Sequence, residues 1–470
     1  MNRRRGRLRS PGSNAIFAGL LTVSIAAVLL ISVRPVRATD TVTPGQAKAI
    51  HFRETFGFSS DLALVQIAEL DEAHYSSDDW GVPLSEQELA DMDGRMYVQG
   101  SLSDAMAYAL EEPDFGGAYI DQHAQGLPIY QFTSELDRHR SELTNKLPND
   151  VAFRVDQAER TLAELLEQQA KIDAERKALS NSGVVVVETA ILTDSVLVGV
   201  DGLTKDVEEV LTSKFGPGLT FEDARPALAD TCYNGSNCRP IKGGIKLEPD
   251  GDAGKYCTSG FVVKRTDTHA LALLTAGHCT AQFPFDKLYR HNGDSFGRAR
   301  EETFAANYTR PADVGLISIF SAEADLITNA NWMHRGAGEV FNVVRLEPGD
   351  YQVIGMAVKR YGVTSGTDAG AINAGYANRL SCLPSGLCMT VTQTRRVDFD
   401  STGGDSGGPY WYPHYTGGSN VVAIGTHVHS EDETQDPPPW YGWYSPIDKG
   451  AAGFDALWPY TYTLCITASC

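Results

Sequence analysis

From residue 231 to the C-terminus the chain breaks into short runs rich in β-branched and aromatic residues: SGFVVKR, ALALLTAGH, DVGLISIF, YQVIGMAVKRYG, LCMTVTQTRRVDF and NVVAIGTHVH. Glycine and other turn-forming residues separate one run from the next. Runs this short are poor helices, but they pair readily as antiparallel strands, and turn signals at such spacing point to a sandwich or a barrel. The stretch 231–470 has room for two antiparallel six-stranded β-barrels in a single all-β domain.

Charge and cysteine content set this stretch apart from what precedes it. Residues 40–230 contain 36 acidic and 14 basic side chains, whereas residues 231–470 contain 24 and 19. All eight cysteines lie beyond residue 230. They are too few for a disulfide scaffold, yet their even number suits a few staples in an oxidising compartment. The acidic region argues against nucleic acid as a partner, because phosphate binding needs clustered lysine and arginine.

The first residues address the same compartment. Arg3, Arg4, Arg5, Arg7 and Arg9 precede an uncharged run at 15–33, and VRA at 36–38 offers small residues for cleavage. This is the layout of a secretory signal over residues 1–38. Left uncleaved, the same run is long enough to anchor the chain in a bilayer. The expectation is a secreted protein, with anchoring on the outer membrane face as the alternative.

Residues 39–115 read as a helical, acidic segment without recognisable chemistry. Residues 116–230 contain an internal repeat, in which 129–154 aligns without gaps on 197–222. Leu143 falls on Leu211, Thr144 on Thr212, Lys146 on Lys214 and Phe153 on Phe221. Each copy reads as strand, amphipathic helix, break and strand, and an apolar stretch upstream (GAYID, VVVVETAIL) adds one strand more. The region is therefore expected to be α+β, with two ββαβ units joined by a charged helix over 155–179.

Three segments of the β-rich half carry chemistry. STGGDSGGPYW, at 401–411, places Ser406 between Asp405 and Gly407. An alcohol nucleophile needs a base within hydrogen-bond reach, a group orienting that base, and donors aimed at the developing oxyanion. Gly404 permits a tight turn and an unobstructed N–H, which with the N–H of Ser406 can address one oxyanion. LLTAGHC, at 273–279, delivers His278 at the end of an apolar strand, followed by Cys279. Cys257, in CTSGF, is the natural disulfide partner of Cys279, and that closure contributes about 3 kcal/mol in the chain-entropy account. PADVGLISIF, at 311–320, puts Asp313 at the mouth of another strand, where a buried carboxylate needs a partner such as an imidazole N–H.

TAGHC, ADVGLI and GGDSGGP, in that order, resemble the trypsin/chymotrypsin family of serine proteases over roughly residues 239–470. With the long N-terminal region, the chain more closely resembles the secreted bacterial branch, the streptogrisins and α-lytic protease. The resemblance implies that Ser406 is the nucleophile, His278 the general base and then acid, and Asp313 the residue that orients the imidazole. It implies an oxyanion hole from the N–H groups of Gly404 and Ser406. It also implies a buried Asp405 paired with Arg360, in VKRYGVTSG, so that activation needs no inserted N-terminus. The acidic N-terminal region becomes a prosegment that blocks the site and assists folding, with a permanent binding domain as its alternative. The domain at 231–470 becomes a trypsin-like protease that acts as a monomer on proteins or peptides, with no metal and no organic cofactor. GDSGG also satisfies the G-x-S-x-G pattern of α/β-hydrolases, but no Asp or Glu lies between Ser406 and His429, so their order of triad residues cannot be assembled.

The departures from the family bear on specificity. Members often carry a cysteine four residues before the nucleophile, where this chain has Thr402. The remaining cysteines fall into close pairs, Cys232 and Cys238, Cys382 and Cys388, Cys465 and Cys470, which suit local loops while other connectivities stay open. Asp400 occupies the place of trypsin's selector for basic residues. His427, in AIGTHVHS, falls where glutamate-preferring relatives place a histidine that meets the substrate carboxylate, with Ser430 to assist. The two pockets imply substrates of opposite charge, and a satisfied core histidine is a third reading of His427. The sequence thus reads as a secreted serine endopeptidase, made as a precursor and working through an acyl-enzyme. The alternative is a catalytically silent, protease-like extracellular binding protein.

Overall fold

The β-rich runs pair into two large sheets, whose strands pack their apolar faces inward and against each other. The computed structural model describes residues 42–470 except 78, 225–226, 229–240, 253, 306, 326, 328, 335–339, 384, 400, 415–418, 431–440 and 468–469. Residues 43–470 form one compact unit. The leader assigned to residues 1–38 lies outside the described residues. Among the described residues, no helix is long and apolar enough to cross a membrane.

The first sheet has eight strands in the order Cys257–Thr258, Lys246–Pro249, Lys287–His291, Asp294–Glu302, Gly315–Ile319, Leu271–Thr275, Val262–Arg265 and Tyr462–Leu464. Leu247, Leu273, Tyr289, Phe296 and Ile317 fill a common core beneath it. In the second sheet, six strands pair in a closed circuit: Ala357–Gly362, Gly366–Cys382, Cys388–Val397, Gly442–Pro446, Asn420–Ser430 and Pro409–Pro413, which returns to the first. Phe261, Leu274, Val314, Trp411, Val421 and Phe454 form the core between the two sheets.

The N-terminal region begins with helices whose starts are set by local chemistry. Thr43 and Gln46 close a capping box on the helix Pro44–Thr55, and Ser85 and Glu88 close another on Glu86–Gly100, each pair satisfying N–H groups that the first turn leaves open. Phe115–Asp121 and Leu127–Phe132 then pair antiparallel, the helix Leu136–Lys146 crosses over, and Arg154–Gln157 adds in parallel. After the helix Leu162–Asn181, the strands Val185–Ile191, Val196–Asp201 and Leu219–Asp223, with the helix Lys205–Phe215, repeat that order.

The two units differ in where their sheets end. The first is a three-stranded sheet of its own. The second joins the β-rich half, because Gly366–Cys382 runs for 17 residues and its outer edge accepts Val185–Ile191 in antiparallel register. This addition contributes to a count of thirteen strands in the second sheet, beyond the six in its circuit.

Side-chain packing crosses the same boundary. Phe52, Phe56, Trp80, Met92 and Met106 from the N-terminal region share one core with Val358, Ile372, Val397, Tyr410 and Tyr444 from the second sheet. Trp80 sits at the seam, its ring within 6.2 Å of Phe52 and Phe56 and 4.1 Å from the Lys359 ammonium. Trp80→Ala is expected to lower the free energy of unfolding by about 3–5 kcal/mol through the cavity left behind. Because the core is shared, urea denaturation followed by circular dichroism and by fluorescence should show one transition moving to lower denaturant. Two transitions, with only the earlier one shifted, would contradict a shared core.

Candidate active site

The strand Leu271–Thr275 ends at the boundary between the sheets and runs into a single helical turn, Gly277–Ala281, which carries His278. The turn is tied down on both sides. Cys279 is disulfide-bonded to Cys257, and the Tyr289 hydroxyl donates to the Cys279 carbonyl at 2.6 Å. Asp313 lies just before Gly315–Ile319, the strand next to Leu271–Thr275, so adjacent strand ends bring the carboxylate and the imidazole together. Oδ1 of Asp313 accepts the His278 backbone N–H at 2.9 Å, and Oδ2 lies 2.5 Å from His278 Nδ1. His278 Nε2 lies 2.8 Å from Ser406 Oγ. The sequence expectation of His278, Asp313 and Ser406 as one constellation thus corresponds to a continuous chain of hydrogen bonds. Solvent exposure is 1% for His278 and nil for Asp313 and Ser406.

The loop carrying Ser406 is pinned from two strands. Thr258 donates its N–H to the Ser406 carbonyl at 2.8 Å and its hydroxyl to the Gly404 carbonyl at 2.7 Å. Gly407 bonds to the His427 carbonyl at 2.8 Å, which locks the loop to Asn420–Ser430. Gly404 and Gly407 adopt φ of 103° and 84°, the left-handed region that favours glycine, and a Cβ on Gly407 would lie 2.1 Å from Thr275 Oγ1. Among the described residues, neither the N–H of Gly404 nor that of Ser406 has an acceptor, which leaves both for an incoming oxygen.

Asp405 points away from Ser406 into the second sheet. Arg360 Nη1 lies 2.6 Å from Asp405 Oδ2, with both side chains fully buried. Burial alone would push the Asp405 carboxyl up. Arg360 and hydrogen bonds from Ser365 and Thr402 outweigh it and hold the group below the ordinary carboxylate range. The other arm of Arg360 meets Asp368 Oδ2 at 2.6 Å, and Asp368 also pairs with Lys48 of the helix Pro44–Thr55.

Of the pocket candidates, Asp400 lies outside the described residues. His427 is fully buried, with Nε2 at 2.8 Å from Ser401 Oγ and Nδ1 at 3.1 Å from the Tyr410 hydroxyl. Ser430 donates to the Ser401 carbonyl at 2.9 Å. Sequence reasoning missed Ser401, Tyr410, Asp368 and Ser445, whose Oγ accepts the Asp313 N–H at 3.1 Å. Only Ser401 carried a signal, its place in the nucleophile stretch; the others meet the site through cross-strand register. The structure pairs Cys382 with Cys388 and Cys465 with Cys470, while Cys232 and Cys238 lie outside the described residues.

Among the described residues, two clusters bring potential metal ligands within 4.8 Å of one another. In one, Cys257 and Cys279 are consumed by their disulfide. In the other, Glu112 pairs with Arg138, and His139 is engaged by Asp114 and Tyr108.

One carboxyl near the site makes a pH dependence measurable. Glu302 adjoins Thr303, whose hydroxyl braces the Ala312 carbonyl and the Val314 N–H on either side of Asp313. Burial, then the neighbouring Glu301, pushes the Glu302 carboxyl up to about 7 from 4.5. The folded chain therefore holds a proton here that the unfolded chain has lost. The stability tied to it is complete below pH 4.5 and disappears as the pH rises through about 7. Glu302→Gln should raise stability at pH 8 by about 1–2 kcal/mol, allowing for partial solvent screening, and leave it unchanged at pH 4. Urea unfolding at the two pH values checks this, and an equal effect at both would contradict it.

No family model matches the sequence, and no curated protein matches it. Among solved structures, a glutamic acid-specific serine protease described as using a histidine triad in substrate binding is 21% identical, covering 47% of this chain and 100% of its own, with a TM-score of 0.36. Thermobifida fusca protease A is 22% identical over 48% of this chain and 98% of its own, with a TM-score of 0.35. Nocardiopsis protease is 21% identical over 47% and 98%, with a TM-score of 0.35. About half of the chain is thus similar to solved bacterial serine proteases.

Proposed function

We propose that this chain is the precursor of a secreted serine endopeptidase, with residues 231–470 as the catalytic domain and the acidic N-terminal region as its prosegment. The observation that carries the reading is the hydrogen-bonded path from Asp313 through His278 to Ser406, with N–H groups of Gly404 and Ser406 beside it. Ser406 attacks a peptide carbonyl while His278 Nε2 takes its proton. Asp313 holds the ring in the tautomer that leaves Nε2 free to accept, and stabilises the imidazolium that forms. The two N–H groups receive the oxyanion. His278 then donates its proton to the leaving amine, and water repeats the sequence on the acyl-enzyme.

We read the closed circuit of the second sheet as one six-stranded barrel. The first sheet makes the other, with 257–265 as one bent strand that pairs with Lys246–Pro249 and with Leu271–Thr275. For the residue before the scissile bond, His427 and its hydroxyl neighbours Ser401 and Ser430 favour an acidic side chain, since an imidazole N–H and hydroxyls can all donate to a carboxylate. The absence of solvent exposure at Ser406 supports a latent precursor, because a substrate carbonyl has to reach that oxygen.

The test is cleavage of a mixed peptide library by the purified full-length chain, beside Ser406→Ala, with N-terminal sequencing of the product. Wild type should cut and acquire a new terminus near residues 230–242, while Ser406→Ala does neither. Asp313→Asn should lower kcat by about 10³–10⁴-fold. His427→Phe should reduce the preference for glutamate over glutamine before the cut by about 10-fold or more. Absence of cleavage by wild type, even after removal of the acidic half, favours the silent binding protein.

A further inference from the structure

The β-rich half directs two hydrogen-bond donors and a further cation at a carboxylate that it does not itself supply. Glu188, on the strand Val185–Ile191, is fully buried. Its Oε2 accepts from Arg379 at 2.7 Å and lies 3.8 Å from Arg396, and its Oε1 accepts the indole N–H of Trp443 at 3.0 Å. Arg379 lies on Gly366–Cys382, Arg396 on Cys388–Val397 and Trp443 on Gly442–Pro446, so three successive strands of the circuit each send a side chain to one point, two of them as hydrogen-bond donors and Arg396 as a nearby cation.

The donors are held in place independently of Glu188. The Arg379 guanidinium stacks 3.7 Å from the Trp443 ring centre. Arg396 is oriented by Asn373, whose Oδ1 accepts from Nε at 2.9 Å, and by the Tyr441 ring at 4.3 Å. Glu222, from the same N-terminal unit, accepts from Arg396 Nη1 at 2.6 Å. A carboxylate removed this completely from water is stable only where charge-assisted hydrogen bonds replace its hydration.

We propose that Arg379, Arg396 and Trp443 form a carboxylate-recognition site, filled by Glu188 in the precursor and by an acidic side chain of a protein substrate once the N-terminal region has left. This rests on the endopeptidase reading above. Ala190 and Leu197 pack in one cluster with Ala374, Ala377 and Trp443, so departure of the N-terminal unit uncovers the indole. The site also adjoins the strand that carries the specificity pocket. Trp443 pairs across the sheet with His429, two residues beyond His427, with ring centres 5.2 Å apart. His429 is itself fully buried, and neither of its ring nitrogens has a hydrogen-bond partner among the described residues. A substrate residue at this site therefore lies outside the primary pocket, as a second point of recognition.

The experiment starts from the full-length chain, left to process itself. The product is assayed on peptides with one fixed cleavable bond, in which a single glutamate or glutamine is walked through the flanking positions. The readout is the ratio of kcat/KM for the glutamate and glutamine members of each pair. At one flanking position beyond the residue before the cut, the ratio should reach about 10-fold or more. It should fall towards one in Trp443→Phe, which keeps an aromatic ring and removes the N–H donor, and in Arg396→Gln, which removes the guanidinium charge together with its donors. A ratio near one at every position in wild type overturns the proposal, as does a preference that survives both substitutions. Absence of cleavage of every peptide, the glutamine members included, overturns the endopeptidase reading and this site with it. The two failures are therefore told apart by whether the glutamine peptides are cut.

Discussion

A guanidinium without solvent exposure needs acceptors in place of its lost water, and Arg360 has two carboxylates. One arm holds Asp405, the neighbour of Ser406, and the other holds Asp368. Asp405 in turn collects N–H donors from Thr364, Ser365 and Thr402, so a single buried charge pair ties the loop at 364–365 to the loop that carries Ser406. Loss of Arg360 would strand the Asp405 charge in the interior, a change that typically costs about 3–5 kcal/mol. The position of Ser406 beneath His278 depends on this pair. So does the link to the N-terminal helix through Lys48 and Asp368.

The N-terminal region is attached in three physically different ways. It shares an apolar core with the second sheet, it adds a strand to that sheet, and it inserts Glu188 and Glu222 between basic side chains. The contacts span the sequence from Lys48 to Trp443, so most of them form only after distant segments have met. Topologies of that kind are slow to fold because loop closure precedes any reward from contact. A template that presents strand, core and counter-charges together lowers that barrier, which suits the folding role given to this region above.

The mostly β character of the C-terminal half was legible because strand and turn signals are local. The hydrogen-bonded constellation was legible for a related reason: TAGHC, ADVGLI and GGDSGGP each place one of its side chains close to a glycine or cysteine in the same short motif. What escaped was whatever depends on register between strands. Asp368 faces Arg360 because those two residues are paired across a hairpin, and nothing in either segment announces it. Tyr410 and His427 meet for the same reason, from adjacent antiparallel strands. The joining of the second repeat unit to the second sheet was equally hidden, since VVVVETAIL reads as a buried strand whichever neighbour it finds.

The long strand Gly366–Cys382 has one further consequence. Its outer edge is satisfied by Val185–Ile191, a segment from the region assigned to departure. A molecule that has lost that segment displays a row of open backbone donors and acceptors, the condition under which sheets recruit strands from other chains. On the precursor reading proposed above, a released domain would be more adhesive than the joined chain, and at high local concentration its own copies would compete for the vacated edge. On that reading, export in the joined form would keep the edge closed until the protein is dilute.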